Sequence, residues 1–220
     1  MSLTELLPNL HYPTRAEKLA DGWVHGVGLV VFSIAVITLL GLAAWQGGLG
    51  MAAVVAIYAV GVLTMIGCSM AYNLAENSKR KSLLRRFDHA AIFLMIAGTY
   101  TPFTTLRFEG AWSVGMTAVI WGLAIIGVLG KLFLPQISKK FWVALYIGMG
   151  WLVVAAMGPL VSGVPLAAVI LLVVGGALYT IGVHFYAWQT LPFRRAIWHG
   201  FVLVAAGVHY AAVMTGVVFG

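Results

Sequence analysis

Seven apolar stretches, at roughly 23–45, 50–75, 89–107, 111–134, 141–160, 164–188 and 196–219, follow one another with only short polar connections. Each approaches or exceeds the length of about 20 residues that a helix needs to cross a hydrocarbon core. A chain with this pattern has few folds open to it. In lipid every backbone polar group must be satisfied internally, so the stretches must be helices or a closed barrel. Runs of this length, without strict alternation, read as helices. Composition agrees: 62% of the 220 residues are hydrophobic, 9% are charged and the mean hydropathy is +1.00. The expected fold is all-α, a polytopic membrane protein with a seven-helix bundle. Residues 1–22 form a polar N-terminal segment, and 23–220 form one transmembrane domain. The start of the chain lacks the plan of a cleavable signal peptide, and a short helix along the membrane surface is expected within it.

Charge supplies the orientation. Twelve of the thirteen lysines and arginines fall on one side of a seven-span arrangement, and only Arg107 falls on the other. Positive charge marks the cytoplasmic face, which puts the N-terminus inside and the C-terminus outside, in a plasma membrane. The net charge of +7 flanks apolar spans and forms no aromatic-studded stripe, so membrane topology and not nucleic acid accounts for it. Membrane lipids are the expected partners. Lys79, Arg80, Lys81, Arg85 and Arg86, read as part of a loop, are candidates for contact with anionic headgroups. A single cysteine, Cys68, excludes an intramolecular disulfide. Glycines and alanines in "GLVVFSIAVITLLGLAAW" and "LLVVGGALYTIGV" permit close helix approach. Pro102 cannot donate to Gly98 and is expected to kink its helix.

The polar residues inside the spans gather at one depth. Ser69 and Asn73, four apart, share a face near the inner end of the second span. Asp88 and His89 stand at the start of the third, and Arg195 and His199, also four apart, open the seventh. His25 opens the first span one turn after Asp21, His184 closes the sixth, and His209 lies deeper in the seventh. An ionisable group in a membrane is costly unless paired or hydrated, which makes such a cluster a functional candidate.

The stretches "FDHAAIFLMIAGTYTPF" and "LPFRRAIWHGFVLVAAGVHYAAV", with "EKLADGWVHGVGLV", "GVLTMIGCSMAYN" and "GGALYTIGVHFYAWQTLPF", resemble the hemolysin III family. That family lies within the progestin and adipoQ receptor superfamily, which includes the adiponectin receptors. The likeness covers about residues 17–215 and implies a seven-helix fold with a cytoplasmic N-terminus. It also implies a zinc site near the cytoplasmic side. The family pattern there is a serine and a histidine four apart, an aspartate, and two histidines four apart. Ser69, Asp88 and His199 match that pattern; Asn73 and Arg195 stand where histidines are expected. An amide is a poor metal ligand and a guanidinium is none. A guanidinium about 5 Å from a divalent ion would repel it by roughly 7 kcal/mol at an effective dielectric near 20.

The degenerate pattern leads to the expectation that zinc does not bind in the family geometry. Arg195 would then pair with Asp88 in place of a metal, while Ser69 and Asn73 add hydrogen bonds. His25, His89 and His184 are accessory ligand candidates beside His199. The expected role is regulatory or structural and related to lipid or membrane state, without catalysis. The resemblance also implies an alternative, a zinc-dependent, ceramidase-like amide hydrolase using Ser69, Asp88 and His199. A pore or transporter is a third reading.

Overall fold

The structure is a computed structural model that describes residues 12–75, 79–134 and 136–220. The expected surface helix near the N-terminus lies largely outside these residues. The described residues form helices and connections, with no strand among them.

Helix α1, Arg15–Leu74, runs for 60 residues but is interrupted at Gly47 and Gly48. Gly48 takes φ +66, a left-handed conformation open chiefly to glycine. The reversal makes two arms that fold back on each other: Gly22 lies beside Leu74, and His25 reaches Ser69. Thr14 caps the first arm by accepting a bond from the Glu17 amide, in the threonine-to-glutamate spacing of a capping box. Then come α2 (Lys79–Leu106), α3 (Gly110–Phe133), α4 (Lys139–Gly150), a 3-10 turn (Leu152–Ala156), α5 (Met157–Gly163), α6 (Leu166–Ala187) and α7 (Arg194–Val213). A π-turn, Met214–Val218, follows α7.

Among the described residues, five helical segments, α1 counted as one, are long and apolar enough to cross a membrane. Their outer faces are apolar as well. Trp45 is 78% exposed, and Val30, Ile34 and Ile37 are also open. A soluble protein rarely shows so much contiguous apolar surface; lipid is the solvent for these faces.

Two boundaries differ from expectation. The basic stretch 79–86, read as a connection, is the opening of α2, because lysine, arginine and leucine are strong helix formers. Two of its side chains have partners in the protein: Lys81 donates to the Ala75 carbonyl at 2.9 Å and Arg86 to the Leu132 carbonyl at 2.8 Å. The stretch 141–160 is also not one helix. The ladder breaks after Gly150, where the Tyr100 hydroxyl lies 3.0 Å from the Met149 and Gly150 carbonyls and accepts from the Val153 amide at 2.8 Å. A tyrosine from α2 thus takes over groups that the helix leaves unpaired.

Helix α2 continues through Pro102. Threonines line that region, Thr101 donating to the Ala97 carbonyl and Thr105 to the Thr101 carbonyl. The backbones of α2 and the second α1 arm meet at Gly61 and Gly98. A Cβ on Gly61 would lie 3.0 Å from the Leu94 carbonyl oxygen, and one on Gly98 would lie 3.0 Å from that of Ile57. This crossing brings the Ser69 end of α1 beside the Asp88 end of α2.

Candidate functional site

The polar site forms at the end of the bundle where α1, α2 and α7 begin. Asp21 and His25 are one turn apart on α1 and face inward. Asp21 is fully buried. Its Oδ1 lies 2.6 Å from His199 Nδ1 on α7, and its Oδ2 accepts from the Tyr12 hydroxyl. Burial first, and then the hydrogen bond to Asp21 and its charge, hold the Tyr12 phenol well above its ordinary pKa. Tyr12 therefore remains a donor at neutral pH.

His25 places Nδ1 2.8 Å from the Asp21 backbone oxygen and Nε2 3.0 Å from Ser69 Oγ. The other side of the same hydroxyl faces His199 Nε2 at 3.5 Å. The two imidazoles meet edge to face, with centroids 4.4 Å apart. Asn73 donates to Ser69 Oγ at 3.2 Å and to the Ser69 carbonyl at 2.9 Å. Its own carbonyl oxygen accepts from Arg195 Nη1 at 3.5 Å, and the guanidinium also sits over the Tyr12 ring. Asp88 approaches Ser69 from α2. Ser69 is thus the hub that both α1 arms and α7 share.

The other histidines lie elsewhere. His89 lies beside Tyr72, and its backbone carbonyl accepts from the Tyr146 hydroxyl. His184 packs against Phe185 and Trp188. His209 sits deeper, against Gly175, with Nε2 3.3 Å from the Leu172 carbonyl.

Asp21 and Tyr12 are the site residues that reading the spans did not single out. The signal for Asp21 was there in the four-residue step to His25, the same step that ties Ser69 to Asn73 and Arg195 to His199.

The donor set can be tested against a metal. Asp21, His25 and His199 each offer a ligand atom, all within 4.8 Å of one another, and all three residues are buried. Two imidazoles and a carboxylate match the ligand types of zinc sites that keep an open position. These residues fit a divalent ion, whereas Asn73 and Arg195, paired with each other, do not.

From this end a cavity of about 620 Å³ runs into the bundle. Ser69, Asp88, Arg195 and His199 line its polar end, and Ile92, Ile96, Val143, Val183 and Leu203 line its apolar part. It also touches His209, ten residues beyond His199 on α7, a rise of roughly 15 Å along a helix.

Comparison with known proteins agrees with these features. The family profile described as haemolysin-III related matches residues 14–210. The chain is 34% identical to Hemolysin-3 of Bacillus cereus over 198 residues, 90% of each protein. It is 33% identical to the Hemolysin-3 homolog of Bacillus subtilis (strain 168) over 201 residues, 91% of this chain and 94% of the relative. A more distant match is the human monocyte to macrophage differentiation factor, 32% identical over 168 residues, 71% of this chain and 67% of the relative. With apolar helices of spanning length and bacterial relatives matched nearly end to end, the chain belongs to the haemolysin-III-related family and is a multi-pass protein of the bacterial inner membrane.

Proposed function

We propose that this protein takes a membrane amphiphile into the cavity of its bundle and serves a regulatory or structural role tied to lipid state. The observation that carries the reading is the cavity itself. At about 620 Å³ it falls within the usual range for small-molecule sites, roughly 300–1,000 Å³. Its wall changes from the polar network around Ser69 to an apolar lining. An amphiphile would set a hydroxyl, amide or phosphate group against Ser69, Asp88 and Arg195 and run its chain past Ile96 and Val183.

In this reading α1 contributes two spans, α4 and α5 together one, and α2, α3, α6 and α7 one each, seven in all. The basic ends face the cytoplasm, as the positive-inside rule requires. Arg80 and Arg85, exposed at the start of α2, are the residues there best placed to meet anionic headgroups.

Lipid retention tests the proposal. Protein purified in mild detergent is expected to carry about one lipid per chain by native mass spectrometry. Plugging the apolar wall with Val183→Trp together with Ile96→Trp should cut that retention at least tenfold while the helical circular dichroism stays. Equal retention by the plugged variant would contradict the proposal.

Arg195 and Asp88 line the same polar end, and we propose that the guanidinium helps neutralise the carboxylate there. Arg195→Ala and Asp88→Ala should then be coupled by about 0.5–3 kcal/mol in a double-mutant cycle of unfolding. Additive losses would leave the two charges without a mutual role.

A second reading, metal-dependent hydrolysis of a lipid amide, draws on the Asp21, His25 and His199 group. A bound divalent ion would supply a water of lowered pKa and polarise the amide carbonyl. His25 and His199 would hold it, Asp21 would orient His199, and Ser69 with Asp88 would hydrogen-bond the substrate.

A further inference from the structure

Six cations line the cavity at the basic end of the bundle: Arg85, Arg86, Lys131, Lys139, Arg194 and Arg195. Asp88 is the one carboxylate among the described residues of that lining. The positive-inside rule asks for cations at this end, but not for side chains that face a cavity. Lys140, next in the chain to Lys139, satisfies the rule without lining it. The six come from four helices: the openings of α2, α4 and α7 and the end of α3. They converge, since Lys131, Arg85, Lys139 and Arg195 all lie within electrostatic range of the His89 ring. Like charges gathered in this way repel one another, and a single carboxylate offsets only one of them.

Their donors are also prepared for an anion. Arg86 and Arg194 each commit an N–H within the protein, to the Leu132 carbonyl and the Gln189 amide oxygen. A guanidinium carries five such hydrogens, so these bonds fix the arms and leave donors over. Lys131 is held differently. Its ammonium lies over the rings of Trp142 and Tyr146, 4.6 and 5.7 Å from their centroids. Ring faces attract the charge but do not supply the oxygen lone pairs that its three N–H groups take up best. Among the described residues Lys131 makes no salt bridge. A carboxylate head would bring one negative charge to this mouth. A phosphate monoester brings about −1.5 to −2 and three acceptor oxygens, which cations from several helices can hold at once.

We infer that the amphiphile is a single-chain lipid phosphate, its monoester headgroup held by Arg85, Lys131, Lys139 and Arg194 at the mouth of the cavity. Ser69 is left for the ester or hydroxyl that joins head to chain. The inference rests on the reading of the cavity as a lipid site and adds the chemistry of the headgroup.

Binding of oleoyl lysophosphatidate, monooleoylglycerol, oleate and inorganic phosphate to the full chain in an uncharged detergent tests it. Lysophosphatidate is expected to bind at least tenfold more tightly than each of the other three. Lys131→Gln should weaken lysophosphatidate at least fivefold, and Lys140→Gln should leave it unchanged. Should Lys131→Gln fail to fold, the wild-type protein provides the check. Raising the ionic strength roughly tenfold should then weaken lysophosphatidate at least threefold and leave monooleoylglycerol as it was. Equal affinity for lysophosphatidate and either of the other lipids would overturn the headgroup inference while the lipid cavity stands. Inorganic phosphate bound as tightly as the lysolipid would overturn it as well, since the chain would then contribute nothing. If none of the three lipids binds, the cavity reading falls and takes the inference with it.

Discussion

Asp21→Ala is expected to destabilise the bundle by about 2–5 kcal/mol, since two buried donors each lose their acceptor at about 1–3 kcal/mol apiece. The substitution strips the acceptor from His199 Nδ1 and from the Tyr12 hydroxyl at once, in a place that water does not reach. Asp21→Asn should cost less, because a carboxamide oxygen can still accept from one of the two donors. Equilibrium unfolding in mixed micelles measures both. The effect should be shared with the partner: Asp21→Ala and His199→Ala together should fall short of the sum of the separate losses by about 0.5–3 kcal/mol. A loss below about 1 kcal/mol for Asp21→Ala, the scale of an exposed ion pair, would mean that the carboxylate does not tie α1 to α7.

Gly98→Leu is expected to be as damaging, by more than about 3 kcal/mol, the upper part of the overpacking range. Its Cβ alone would sit 3.0 Å from the Ile57 carbonyl oxygen and 3.4 Å from the Tyr58 Cα. These are backbone atoms and cannot swing aside. A leucine would force α2 away from the second α1 arm and open the Ser69–Asp88 end with it. Gly41 gives the contrast, since nothing lies within 4 Å of a Cβ built there. Gly41→Ala should be neutral or stabilising by up to about 1 kcal/mol, because alanine favours the helix. The two variants compared in the same unfolding assay separate steric crossing from glycine content. If Gly98→Leu unfolds like wild type, the close crossing is wrong.

Much of this architecture could be read from residue order. The apolar stretches placed the helices, and "QGGLG" marked the reversal that Gly48 makes with its positive φ. Convergence of Ser69 and His199 followed from helical spacing and from counting which end each stretch began at. Two features of the helices could not be read that way. The opening of α2 looked like a loop because charge masked its helix-forming residues. The break after Gly150 depends on Tyr100, fifty residues away, and no local pattern encodes a distant hydroxyl.

The role of Asp21 was hidden for a different reason. Attention to the family positions favours Asp88 as the important carboxylate, but Asp21 is the acid in contact with His199 at 2.6 Å. The substitution of Asn73 and Arg195 for the family's histidines was visible in the sequence. That His25 turns to the same hydroxyl as His199 was not, because it depends on how the two arms of α1 fold together.

A high-resolution experimental structure of the protein in lipid nanodiscs, made without added ligand, would decide whether the polar end around Ser69 heads a lipid cavity. The expected density is a single acyl chain running past Ile96 and Val183, with its polar group within hydrogen-bonding distance of Ser69, Asp88 or Arg195. A cavity closed by its own side chains, or filled with water along its length, would contradict the account.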